Sequence, residues 1–311
     1  MTSMFLTPAL RRAVLPVLAA STLTAAAILA PFQGAHQANA GDAAKPDRVV
    51  AVGGAITEIV YALGEAGRLV GRDTTSSYPP AASELPDVGY IRALSPEGVL
   101  SLNPDLILML EGAGPPEALS VLKGADVPLV TVPDRYTAEG VVDRIQSVGR
   151  AMGVEDKAAA LIASVEADFE TLEDMVEGSG PSKTVLFILS LNGGRILASG
   201  DGTAAAGVIE LAGLQNAVSG FEGYKPLSNE ALIQADPDVI LIMDRSGDHA
   251  VTLEKLQAIP ALSVTAAVRN GHVVSMDGLY LLGFGPRTAQ AVSELATRVK
   301  AFSSDKPGKD T

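Results

Sequence analysis

The sequence of 311 residues contains no cysteine and no tryptophan, and only three histidines. Without cysteine there is no disulfide framework, no thiolate nucleophile and none of the lipid-bearing cysteine that tethers a lipoprotein to a membrane. His36, His249 and His272 are too few for a zinc or manganese site built on several imidazoles. Basic side chains are also scarce: 23 Lys and Arg against 36 Asp and Glu leave a formal charge of -13. That balance excludes the basic face which phosphate neutralisation in nucleic-acid binding requires. The Gly-x-x-x-x-Gly-Lys phosphate loop and the His-Glu-x-x-His zinc motif are both missing. Gly53-Gly54 and Gly193-Gly194 follow apolar runs, as phosphate-binding turns do, but ordinary strand-to-helix turns explain them. An enzyme of unrecognised α/β chemistry, or a metal-binding scaffold, therefore has no site to stand on.

Long apolar runs are missing too, with one exception at the N-terminus. Arg11 and Arg12 precede an Ala/Leu-rich stretch from Ala13 to about Ala30, and Ala38-Asn39-Ala40 follows. Charge, then an apolar stretch, then A-x-A is the order of a secretory signal peptide, which predicts removal of residues 1–40 after Ala40. A membrane anchor is the alternative, but Pro16 interrupts the run and Pro31, Gln33 and Gly34 close it near the minimum spanning length. The expectation is a periplasmic protein with no stable membrane insertion.

The rest of the chain reads as α/β. Arg48–Val52, Leu69–Gly71, Leu106–Leu110 and Pro128–Val132 are short buried runs, and a helical pattern near Thr57–Leu63 follows the first. Thr184–Leu189, Asp238–Met243 and His272–Met276 repeat the grammar, with a helix over Thr203–Leu211. The halves share a phrase. Leu94-Ser95-Pro96-Glu97 leads through Val99-Leu100 to Asn103-Pro104-Asp105, and Leu227-Ser228-Asn229-Glu230 leads through Leu232-Ile233 to Asp236-Pro237-Asp238. Between them, Glu155–Glu177 has no Gly or Pro and carries Leu161, Val165, Phe169 and Leu172 at helical spacing. The predicted fold is two Rossmann-like lobes with mainly parallel sheets, residues 41–152 and 181–303, joined by one long connecting helix, 153–180, with a disordered tail, 304–311.

Several stretches carry a resemblance. Arg48-Val49-Val50-Ala51-Val52-Gly53-Gly54, Thr57-Glu58-Ile59, Tyr78-Pro79-Pro80, Leu85-Pro86-Asp87-Val88-Gly89-Tyr90-Ile91-Arg92 and Leu94-Ser95-Pro96-Glu97 look like the first lobe of periplasmic haem-binding proteins of ABC importers. Asn192-Gly193-Gly194-Arg195, Tyr224-Lys225-Pro226-Leu227-Ser228 and Leu282-Gly283-Phe284-Gly285-Pro286-Arg287 continue it, so that it spans about Arg48 to Phe302. The wider class also includes cobalamin and ferric-siderophore binders, and the Gly-Tyr-x-Arg stretch narrows the resemblance to haem. Anionic siderophores call for several converging basic side chains. Cobalamin clefts in relatives favour aromatic walls, and this chain is 4% aromatic.

Haem iron is held by His, Cys, Met or Tyr, and tyrosine is the abundant candidate here: Tyr61, Tyr78, Tyr90, Tyr136, Tyr224 and Tyr280. Tyr61 lies at core spacing and Tyr78 reads as scaffold before two prolines. The resemblance implies that Tyr90 ligates ferric iron and that Arg92 hydrogen-bonds its oxygen; a surface tyrosine beside a solvated arginine is the plain alternative. It further implies Arg245 over the haem from the opposite lobe and Tyr224 with Lys225 against porphyrin or a propionate. Tyr280 and Phe284 would be apolar lining; His249, near the loop of Arg245, is disfavoured as a second axial ligand. Relatives with two haems carry a histidine where this chain has Leu191-Asn192, which argues against that stoichiometry. Glu97 and Glu230 resemble docking points, one per lobe, for arginines on the two subunits of a homodimeric permease that works with an ATPase; a capping box is the structural alternative.

Overall fold

A computed structural model of the protein describes residues 45–177, 182–244 and 251–304, which belong to one compact unit. The expected signal peptide, Arg245, His249 and the tail beyond Ser304 lie outside the described residues.

The first lobe is a wholly parallel sheet in the order β2-β1-β5-β6, built from β1 (Val49–Val52), β2 (Leu69–Arg72), β5 (Leu106–Leu110) and β6 (Leu129–Val132). Between β2 and β5 a small antiparallel hairpin intervenes, β3 (Gly89–Tyr90) and β4 (Ala93–Leu94). The second lobe holds β7 (Thr184–Asn192), β8 (Arg195–Ser199), β9 (Gln215–Asn216), β10 (Tyr224–Pro226), β11 (Val239–Asp244) and β12 (Val273–Asp277). Its order is β10-β8-β7-β11-β12, with β9 also on β7. This sheet is mixed, since β8 runs antiparallel to both β7 and β10.

The mixed character corrects one reading of the sequence. Gly193-Gly194 is the tip of a hairpin and leads into a strand, not into a helix. Both glycines take positive φ, 56° and 78°, the two-residue turn whose twist matches that of paired strands. Gly53-Gly54, by contrast, does lead from strand to helix. That helix runs Gly54–Ala62, starting ahead of Thr57, because Gly53 at φ 120° completes the turn alone and its carbonyl accepts from Ile56 and Thr57.

The shared phrase folds the same way in both lobes. Ser95 and Ser228 are side-chain N-caps, accepting from Gly98 at 3.1 Å and Ala231 at 3.2 Å. Asn103 and Asp236 each take positive φ, at 47° and 32°, before a proline. Asp105 then accepts from the backbone N–H of Asp47 and Arg48 at the foot of β1, and Asp238 accepts from the N–H of Thr184 at the foot of β7. Corresponding carboxylates fix the start of the first strand in each lobe.

One helix, Glu155–Glu177, crosses between the lobes. It buries Ala158, Val165, Phe169 and Leu172, a stripe one helical face wide, and each large side chain so buried contributes roughly 1.5–3 kcal/mol. The preceding helix, Ala138–Met152, approaches so closely that a Cβ on Gly149 would collide with Ala158. The last helix, Thr288–Ser304, packs on the connector from the other side. It runs to Ser304, the first residue of the stretch that the sequence placed in the tail. His272, stacked on Phe302 at 4.5 Å, anchors its final turn. One apolar core runs from Ile56 through Phe169 to Val292.

Candidate functional site

Strand order in the first lobe reverses between β1 and β5, which leaves a crevice beyond the carboxyl ends of those strands. The β3–β4 hairpin is fastened beside those strand ends, with Ile91 3.7 Å from a Cβ built on Gly53. Gly114, just after β5, donates to the carbonyl of Ile91 at 2.9 Å and accepts from Leu94 at 3.0 Å. Asp87 holds the base, accepting from Arg72 at 2.8 Å, Thr74 at 3.1 Å and the N–H of Gly89 at 2.8 Å. Ile91 and Arg92 form the tip, so Tyr90 is a strand residue paired with Ala93. Tyr90 is 45% exposed, a large fraction for an aromatic side chain on a fastened hairpin.

Arg92 is exposed, and its charge reaches Tyr224 of the second lobe. Tyr224 opens β10 with its ring against Phe187, centroids 6.3 Å apart. Burial raises the pKa of its phenol, and hydrogen bonds from Thr203 and the Ala205 N–H, with the charge of Arg92, offset part of that rise. Tyr224 is therefore a neutral hydroxyl seated on the start of the helix Ala204–Leu211. Lys225 does not share its face: alternation along β10 turns it away, and its ammonium lies 5.5 Å from the Phe221 ring.

The other tyrosines separate by environment. Tyr136 donates to Asp134 at 2.9 Å, and burial, then the charge of that carboxylate, holds its pKa far above the ordinary phenol value. It is a poor anionic ligand. Tyr78 and Tyr280 flank the Arg287 guanidinium at 3.4 and 5.0 Å from their ring centroids. Phe284, expected as lining, is 1% exposed and packs against Tyr136 with centroids 5.3 Å apart, so it belongs to the core. Arg92 from one lobe and Tyr224 from the other are the expected residues brought within electrostatic reach of each other, with Tyr90 on the same hairpin as Arg92.

Residues that the sequence did not single out as site residues tie the two lobes together. Arg144, fully buried, donates to the carbonyls of Gly283 at 3.0 Å and Phe284 at 2.6 Å in the second lobe, and to Asp134 at 2.6 Å. Burial lowers its pKa, opposed by Asp134. Arg287 makes a second tie, in the reverse direction, to Glu58.

Glu97 and Glu230 stand exposed on separate helices, Pro96–Leu100 and Asn229–Ala235. Each is two residues past its serine cap, one short of the capping-box position. Glu97 accepts from the Ser95 hydroxyl at 3.3 Å. Glu230 has a lowered pKa, caused first by its own backbone N–H and then by Ser228.

Residues 49–279 match the family described as periplasmic binding protein. The chain belongs to that family. Among solved structures it is similar to the periplasmic heme-binding protein BhuT in complex with two hemes, at 44% identity and TM-score 0.78, covering 82% of this chain and 98% of that one. The periplasmic heme-binding protein RhuT from Roseiflexus sp. RS-1 is 37% identical with TM-score 0.79, covering 83% of this chain and 99% of that one. An uncharacterized ABC transporter substrate-binding lipoprotein, YvrC of Bacillus subtilis, is 28% identical over 82% of this chain and 80% of its own length. A vitamin B12-binding protein of Vibrio cholerae is 26% identical over 83% and 91%. These relatives are binding proteins, not enzymes, and the family implies an ABC permease and its ATPase as partners. No helix of the described residues is long and apolar enough to cross a membrane.

Proposed function

We propose that this protein is exported to the periplasm, captures haem between its two lobes and hands it to an ABC importer. The observation that carries the reading is the fastened, exposed Tyr90 beside the first-lobe crevice, with Arg92 two residues on and within electrostatic reach of Tyr224. In it, Tyr90 ligates ferric iron as phenolate, a form that both the metal and the guanidinium of Arg92 favour. Tyr224 offers its neutral hydroxyl from the facing lobe, and Arg245, which follows β11 in the sequence, adds a positive charge toward the haem. The solved heme-binding relatives at 44% and 37% identity support haem over other cargoes.

Vitamin B12-binding relatives keep a cobalamin reading in view. The deciding experiment is an absorption titration of the mature protein with hemin, alongside cyanocobalamin and a ferric siderophore. The expected result is saturable hemin binding with a high-spin phenolate spectrum that Tyr90→Ala loses together with most of the affinity. Hemin binding by Tyr90→Ala equal to that of the parent would remove Tyr90 from the iron.

Glu97 and Glu230 complete the proposal on the transporter side. Two carboxylates on repeated helices suit a twofold partner, a homodimeric permease with one arginine-bearing face per subunit. Their first-turn positions complement the helix dipoles without needing a protein partner, so only a transfer assay separates the two roles.

A further inference from the structure

We propose that Arg195, at the tip of the β7–β8 hairpin, is a specificity residue that binds a carboxylate of the ligand. The inference rests on the haem reading, because a haem brings two propionates to the cleft.

The argument begins with sheet register. In the second lobe β7, β11 and β12 run parallel, with Ile188 opposite Ile242 and Met243 opposite Met276. Beyond β12 the chain enters the helix Gly278–Leu282, and a Cβ on Gly54 of the first lobe would meet Leu279 of that helix. The carboxyl edge of this sheet is thus the edge that faces the first lobe. β12 stops at Asp277, level with Asp244 and two residues past Ile242, whereas β7 continues to Asn192, four past Ile188. At about 3.3 Å per residue the hairpin overhangs the edge by roughly 7 Å before its turn begins.

Among the described residues, no atom lies within 4 Å of a Cβ built on Gly193 or Gly194. Arg195, paired with Asn192 across the turn, is exposed and has no carboxylate partner among the described residues. In a chain with 36 acids to 23 bases, an arginine held on a hairpin yet left unpaired is conspicuous. Arg92 is its counterpart on the first lobe: it too sits at a hairpin tip without a carboxylate partner among the described residues, and its charge reaches β10 of the same mixed sheet. Two guanidiniums from opposed hairpins suit a ligand whose rim carries carboxylates, because the planar fork of arginine matches that group.

The test compares hemin with its dimethyl ester, which keeps the iron and the macrocycle and loses both negative charges. Wild type should prefer hemin. Arg195→Gln should weaken hemin roughly tenfold, the scale of one charge-assisted hydrogen bond, and leave the ester unchanged; Arg195→Lys should recover part of the loss. An unpaired surface side chain leaves folding intact, so the melting temperature should not move. Equal weakening of both porphyrins by Arg195→Gln, or weakening of neither, overturns the proposal while the Tyr90 spectrum keeps the haem reading standing. A wild type that binds neither porphyrin overturns both.

Discussion

Arg287 donates from Nε and Nη2 to the two carboxylate oxygens of Glu58, at 2.8 and 2.9 Å, and so joins the second lobe to the first. Burial works against the charge of Arg287, but the hydrogen bond and charge of Glu58 outweigh it and raise its pKa. Removing Glu58 strands the partly buried charge of Arg287, so Glu58→Gln should cost about 1–2 kcal/mol in urea unfolding. Glu58→Gln combined with Arg287→Met should recover part of that loss, because neither charge is then left alone. A strictly additive double variant would show that the pair is not coupled.

Two arginine ties and one connecting helix leave the lobes little freedom to hinge. Small-angle scattering with and without hemin should give nearly equal radii of gyration. A large contraction on binding would mean that the Arg144 and Arg287 ties open in solution.

The exposed acids test delivery separately from capture. Glu97→Ala with Glu230→Ala should bind hemin as wild type does, yet sharply lower ATPase stimulation of the partner importer and flatten its salt dependence. Unchanged stimulation would reduce both residues to helix-dipole partners.

Glu65 joins the first lobe to the connector, accepting from Lys157 at 2.6 Å and Arg68 at 3.0 Å. The hydrogen bond from Lys157, opposed by burial and aided by Arg68, holds its pKa below the ordinary 4.5. A depressed carboxylate pKa adds stability that is present above that ordinary value and is lost as pH falls through the folded one. Glu65→Gln should therefore be less stable than wild type at pH 7, by about 0.5–1 kcal/mol for a partly exposed pair, and the urea midpoints should converge in acid, once pH falls below the folded-state pKa. A gap that persists in acid would trace the loss to packing.

Elements that state their period in local residues were legible from sequence. The helix Glu155–Glu177 and the strand Leu106–Leu110 occupy the stretches their apolar spacing indicated. The serine caps of the repeated phrase were legible as well. The β7–β8 hairpin was not, because a Gly-Gly after an apolar run looks the same whether a helix or a returning strand follows; only the pairing partner decides. Tyr90 was singled out by its motif, but its strand pairing depends on Gly114. Arg144 had no signature at all, and Glu58 and Arg287 lay in stretches that carry the resemblance without any sign that the two would pair. A buried arginine is read as a surface charge until the carbonyls and carboxylates that receive it are brought near by the rest of the fold.

The lengths of chain enclosed by those ties order the folding of the molecule. Arg144 and Phe284 are 140 residues apart, and Glu58 and Arg287 are 229 apart, whereas most strand neighbours within a lobe are separated by far less. Closing so long a loop brings no enthalpic return until both ends are already structured. The two sheets are thus expected to form as separate cooperative units, with the arginine ties closing afterwards as a late step that slows unfolding more than it speeds folding. The same ties that set the width of the cleft would then act as a kinetic clasp, lengthening the life of the assembled state.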